Sequence, residues 1–413
     1  MTEPNEIACL RASIARFGPV DRLGVAVSGG GDSLAALVLA VEVLGADNVA
    51  AVTVDHGLRA EARDEAAQVA NLCARLGVDH QILRWSGPEG GNLQDAARQA
   101  RLDLISGWAR GHVDAVVLGH TQDDQAETVL MRLARGSGVD GLSAMADARR
   151  AQGVLWLRPF LTVPREALRA VLRARDVAWV EDPSNSDARF QRVRARAALA
   201  ALAPLGIDAQ GLAETAHRMR RARQALEQQT TEALHAYARD EAGTVLLDKA
   251  ALALPPEIRD RVFAHLLMAL SGSWHRPRLD ALHRVIEAQG TLMGCVLVDE
   301  GAHLRLYREA RAVAALETPA TELWDGRWTA QGPGSGVIRA LGENGLAQLS
   351  AQAKAGIHPH WRETGLSQAI LLATPAIWHD EALIAAPLAF WPQKWHLSAR
   401  PVAASGIGLE LSH

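Results

Sequence analysis

The side chains best suited to chemistry fall in three short stretches. The first, SGGGDS, places Ser28, Gly29, Gly30, Gly31, Asp32 and Ser33 directly behind the apolar run RLGVAV. A glycine inside a regular element costs roughly 0.5–1 kcal/mol relative to alanine, so three in a row call for a compensating role. Close approach of the backbone to an anion would supply one, because a helix opening right after the glycines presents unpaired N–H groups and the positive end of its dipole. No lysine follows the glycines and the spacing is not G-x-G-x-x-G, so neither common phosphate loop is present. Phosphate charge would then be met by backbone amides and a divalent cation, for which Asp32 is the available carboxylate. A plain helix cap made by Asp32 and Ser33 is the competing reading.

The second stretch, VDHGLR, ends an apolar run with Asp55 and His56, and the third, LGHTQDDQAET, supplies Gly119, His120, Asp123, Asp124, Glu127 and Thr128. On a helix opening near residue 122, Asp123 and Glu127 share one face and Asp124 and Thr128 the next, because side chains four apart are neighbours. Carboxylates in a first turn suit the helix dipole, which accounts for one or two of them. It does not account for three acids and a histidine together. All of these residues follow the end of an apolar run, as the glycine loop does, and in a parallel sheet they converge on one edge.

The elements that must position them can be read from periodicity. Strand-like runs at 22–27, 49–56, 80–85, 114–120 and 154–159 alternate with helical patterns at 32–44, 60–76, 92–109 and 122–135. That alternation predicts an α/β domain with a parallel sheet covered by helices on both faces, over residues 1–205. Residues 206–313 read as a mainly helical domain, and 314–413 as a small mixed or β-rich one in which six tryptophans (324, 328, 361, 378, 391 and 395) serve chiefly as core. At 413 residues and 48% hydrophobic, the chain is globular and too long for one ordinary domain. No apolar run reaches membrane-spanning length, and the first residues carry acids where a secretory signal would carry bases, so a cytoplasmic location is expected. Cys9, Cys73 and Cys295 have no metal or disulfide spacing. The net charge of −4 hides a segregation: residues 149–223 hold fifteen arginines against seven acids, a local balance of +8.

These motifs resemble a known family. SGGGDS behind the first strand is similar to the pyrophosphate motif of the PP-loop ATP pyrophosphatases. GHTQDDQAET, RLARGSGVDGLSAM, LRPFL (157–161) and EDPSNSDARFQRVRAR (181–196) narrow the resemblance to tRNA(Ile)-lysidine synthetases. The resemblance implies an enzyme that uses ATP, Mg2+ and free L-lysine to convert the wobble cytidine of tRNA(Ile) bearing a CAU anticodon into lysidine, through an adenylylated tRNA, so that AUA is read instead of AUG. It nominates Asp32, Asp123, Asp124, His120 and Arg98 for catalysis, with Asp32 and Asp123 or Asp124 holding the metal. Ser28 to Ser33, Asp55, His56 and Gly119 would hold ATP, and Arg98, Arg101 and Glu127 would hold lysine. The tRNA surface would be Arg189, Arg192, Arg194 and Arg196 on one helix and Arg218, Arg220 and Arg221 on the next. Leu102 stands where the family often has tyrosine, and RFQRVR replaces the commoner Arg-Asn-x-x-Arg. A tRNA thiolase is disfavoured by the lack of paired cysteines, and a small-metabolite synthetase by the basic strip. A non-catalytic nucleotide- or tRNA-binding protein would not need the three aspartates. The choice between monomer and homodimer stays open.

Overall fold

Apolar runs without polar alternation form strands that are covered on both sides, and this decides the architecture of the first half. The computed structural model describes residues 4–57, 61–85, 87, 93–181, 189, 191–273 and 275–403, and in 61–63, 93–95 and 98 the backbone alone. Its first sheet contains β1 (Leu23–Ala26), β2 (Val49–Asp55), β3 (Asp79–Arg84), β4 (Ala115–Leu118), β5 (Ala148–Ala151) and β6 (Val154–Leu157), in the order β3-β2-β1-β4-β6-β5. All neighbours are parallel except β5, which pairs antiparallel with β6.

The helices are α1 (Asn5–Arg16), α2 (Gly31–Leu44), α3 (Glu61–Leu76), α4 (Leu93–Ala109), α5 (Gln122–Leu133), the single turn α6 (Val139–Leu142), α7 (Arg165–Arg173), α8 (Gln191–Leu202) and α9 (Ala209–Tyr237). One face of the sheet shares a core with α2 and α7 through Leu37, Leu39, Phe160, Leu168 and Leu172, while the other packs Val116 and Trp156 against Ile105 and Ala109 of α4. Helix α2 is apolar nearly all round, and its residues 33–40 are all buried. Gly45, at φ +82°, ends it. The expected strands and helices are therefore present. Strand β5 was not expected, because ARRA carries two arginines; the Gln152–Gly153 turn, with both φ values near +50° to +80°, closes it onto β6 as a tight hairpin.

The chain divides into two compact units, one reaching Gln224 and the other running from Ala225 to Gly408, so the division falls inside α9. In the second unit the stretch read as helical also holds a five-stranded antiparallel sheet, β7 (Ala238–Glu241), β8 (Thr244–Asp248), β9 (Gly290–Leu292), β10 (Cys295–Asp299) and β11 (His303–Arg308), packed with α10 (Pro256–Ser271) and α11 (Leu279–Ala288). These strands are short and joined by tight turns such as Ala242–Gly243, so their period-2 pattern is drowned by the long helices beside them. Beyond them the chain is β-rich as expected, with a four-stranded and a two-stranded antiparallel sheet. Trp324, Trp328, Trp361, Trp378 and Trp395 are buried in its cores, and the partly exposed Trp391 lies 4.9 Å from the ring of His358. The three cysteines are free. Among the described residues no helix is long and apolar enough to cross a membrane.

Candidate active site

The chain leaves β1 toward β2 on one side and β4 toward β6 on the other, so β1 and β4 flank the point where the winding reverses. Crevices at the carboxyl ends of such strands are where ligands bind in open α/β sheets. A cavity of about 640 Å3 opens there, walled by the glycine loop, Gly119, His120, Asp124, Arg165 and Trp179.

The three glycines have three different reasons. Gly29 has φ +84°, a conformation that side chains resist. At Gly31 a Cβ would come within 3.3 Å of the Trp179 ring. At Gly30, which lines the cavity, a Cβ would meet nothing among the described residues nearer than Ser28 Oγ at 3.7 Å, so none of their atoms demands glycine there. A ligand approaching the backbone would. The loop is braced from within: Ser33 Oγ donates to Gly30 O (2.9 Å) and accepts from Ser28 N–H (3.1 Å). Gly119 answers a packing demand, since its Cβ would lie 2.7 Å from the carbonyl oxygen of Asp32. The ends of β4 and α2 can touch only without it.

Opposite the loop, Thr121 and Asp124 form a capping box at the start of α5. Asp124 Oδ2 accepts from Thr121 N–H (2.9 Å) and Oγ1 (3.0 Å), which leaves Oδ1 turned toward the cavity. Arg165 meets it there: Nη2 donates to Asp124 Oδ1 (3.0 Å) and Nε to Asp32 Oδ2 (2.9 Å). Two hard oxygen donors thus face one edge of a single guanidinium, a donor set that suits magnesium. Among the described residues no group of three His, Cys, Asp or Glu side chains could hold a metal, so the rest of any coordination shell must come from ligand and water. Burial raises the pKa of Asp32 despite Arg165. At Asp124 burial is also the largest influence, but Arg165 and the Thr121 N–H oppose it and the carboxyl is held below its usual range. His120, whose Nδ1 is buried without a partner, is pushed down to about 3 by burial and then by Arg158, so its imidazole is neutral.

A family model described as the PP-loop domain matches residues 9–203. Over 389 residues, 91% of either chain, the sequence is 46% identical to a tRNA(Ile)-lysidine synthase of Ruegeria pomeroyi. The chain belongs to the tRNA(Ile)-lysidine synthase family. A second relative, from a Methylobacterium species, is 44% identical over 68% of this chain and 83% of its own. Among solved structures, U34-tRNA thiolase NcsA from Methanococcus maripaludis aligns at 17% identity and TM-score 0.44, over 52% of this chain and 78% of that one.

Against the residues nominated for a lysidine synthase, the structure separates those at the cavity from those elsewhere. Ser28, Gly30, Gly31, Asp32, Ser33, Arg101, Gly119, His120 and Asp124 line it. Asp123 does not: its carboxylate accepts the backbone N–H of Arg165 (2.8 Å), so of the two candidates Asp124 is the one that faces Asp32. Asp55, at the end of β2, accepts from Gly57 N–H (2.9 Å), and neither it nor His56 reaches the cavity wall. Glu127 is only 1% exposed, its Oε1 paired with Arg196 Nε and its Oε2 buried without a hydrogen-bond partner. The side chain of Arg98 and residues 182–188 of EDPSNSDARF lie outside the described residues.

The structure divides the arginines nominated for the tRNA surface into two groups. Residues 192 and 196 are four apart and share the face that α8 packs on α5, so Arg192 and Arg196 line the cavity beside Asp124 and Glu127. Arg220 is turned inward too, donating to the Met145 carbonyl (2.6 Å). Arg189, Arg194, Arg218 and Arg221 remain exposed. Sequence reasoning missed Arg165, Arg169 and Trp179 as site residues: the arginines were counted with the outward basic strip, and no local spacing links them to the acids they serve.

Proposed function

We propose that this cavity adenylylates and then lysylates the wobble cytidine of tRNA(Ile) with a CAU anticodon. The glycine loop and the N-terminus of α2 take the β and γ phosphates of ATP, and Asp32 and Asp124 hold Mg2+, which supplies charge neutralisation at the phosphates. The cytidine O2 attacks the α phosphorus, the bond to pyrophosphate breaks, and the tRNA carries AMP on O2. The lysine ε-amine then attacks C2; the C2–O bond breaks, AMP departs with the oxygen, and the amine loses its protons. A neutral His120 hydrogen-bonds in this space without adding a positive charge. Arg101, which lines the cavity, takes the lysine carboxylate, whose planar form matches the guanidinium fork. The buried Glu127, with one oxygen unpartnered, suits an ammonium group.

The observation that carries the reading is Gly30, whose missing side chain no atom of the described residues requires, at a helix N-terminus that lines the same cavity as Asp32 and Asp124. In this reading residues 1–205 use ATP, 206–313 help hold the tRNA and 314–413 form a smaller third part, all in the cytoplasm where tRNA, ATP and free lysine meet. The test is to incubate the protein with ATP labelled at the α phosphate and a tRNA(Ile) transcript, without lysine. Label on the tRNA that is released as AMP when lysine is added supports the proposal; label that never enters tRNA defeats it.

A further inference from the structure

Arg165 opens α7, and this one residue ties together the acids of α2 and α5. Besides the bonds to Asp32 and Asp124, its Nη1 lies 3.7 Å from Glu127 Oε1, and its backbone N–H is held by Asp123. The side chain is largely buried, and the attached carboxylates are more so at Asp124 and Glu127. Removing like-charged carboxylates from water without a counter-charge is strongly unfavourable, so some cation must stand between them whenever the site is empty of ligand. Arg192 lies 3.8 Å from Asp124 and Arg196 is on Glu127, whereas among the described residues Arg165 is the cation paired with both Asp32 and Asp124.

Accepting the reading of the cavity as a metal–nucleotide site, we propose that Arg165 is its resident counter-ion: a positioning residue that occupies the place between Asp32 and Asp124 in the ligand-free enzyme and exchanges these carboxylates for the phosphates of ATP when Mg2+ enters. A guanidinium and a divalent cation cannot share the same carboxylate lone pairs and repel at this range. Metal alone must therefore take Asp32 and Asp124 from Arg165 and give it no new partner in exchange, leaving it only the longer contact to Glu127. Metal with nucleotide offers the guanidinium new oxygens to bind, and the planar fork that serves two carboxylates serves phosphate equally well. The two ligands become coupled through this one side chain.

The experiment is a Mn2+ titration of the full-length protein followed by electron paramagnetic resonance, without tRNA or lysine, with and without a non-hydrolysable ATP analogue. Arg165→Met is expected to bind Mn2+ alone about tenfold or more tightly than wild type, to bind the analogue about tenfold more weakly, and to lose most of the enhancement of Mn2+ binding by the analogue. Adding Asp124→Asn to Arg165→Met should abolish the gain. If Arg165→Met fails to fold by circular dichroism, Arg165→Lys, which keeps a charge without the fork, should give intermediate values. A folded variant whose Mn2+ affinity equals or falls below that of wild type overturns the proposal. Failure of the wild type to bind the analogue would instead overturn the reading of the cavity.

Discussion

Asp124 divides its carboxylate between two duties, one oxygen capping α5 and the other facing Arg165 in the cavity. Truncation should therefore fail twice. Asp124→Ala is expected to cost about 1 kcal/mol of stability through the lost cap and to reduce pyrophosphate release by about a hundredfold or more. Asp124→Asn, which can still accept from Thr121, should lose the activity with most of the stability kept; chemical denaturation and a pyrophosphate assay read the two effects separately. His120 gives the pH dependence. Its native pKa is pushed down to about 3 by burial and by Arg158, while in the unfolded chain it titrates near its ordinary value, so below pH 6.5 the unfolded state binds the extra proton. Its neutral form contributes stability that is complete above that pH and lost as the pH falls, with a slope of at most about 1.4 kcal/mol per pH unit. Denaturation midpoints at pH 7 and 5.5 should diverge less in His120→Gln than in wild type.

At the scale of elements, two glycines that look equivalent in the sequence separate packing from binding. Gly119→Ala drives a Cβ to 2.7 Å from the Asp32 carbonyl and must push α2 from β4, with an expected cost of about 1–3 kcal/mol. Gly30→Ala meets, among the described residues, only the Ser28 hydroxyl at 3.7 Å and should leave the melting temperature nearly unchanged while weakening ATP binding severely. Calorimetry on both variants checks the contrast. The parallel sheet, the glycine loop and the α5 acids were legible because uninterrupted apolar runs and turn residues are local signals, and the topology then carries their ends to one edge. Strand β5 and the hairpins of the second unit were not, being short and rich in charge or small residues. Nor was Arg165: its partners lie 41 residues away at Asp124 and 133 away at Asp32, a proximity created by packing α7 on α2 and not encoded in any period.

Across the whole molecule, the arginines of 149–223 do two jobs. Arg165, Arg192 and Arg196 balance acids inside the cavity, while Arg194, Arg218 and Arg221 face solvent. Replacing these three by glutamine should weaken tRNA binding and lower the slope of log affinity against log salt by up to about 2–3, near one for each phosphate left without its arginine, with ATP binding unaffected. Filter binding over a salt series measures it. The product decides the function, and it is read by nucleoside analysis of a tRNA(Ile) transcript with a CAU anticodon after incubation with the protein, ATP, Mg2+ and lysine, beside a reaction with Asp32→Asn. Lysidine is expected in place of the wobble cytidine, with one AMP and one pyrophosphate per lysine joined, and none of these with the variant. ATP cleaved with the cytidine unchanged, or lysidine formed as readily by Asp32→Asn, would contradict the proposed function.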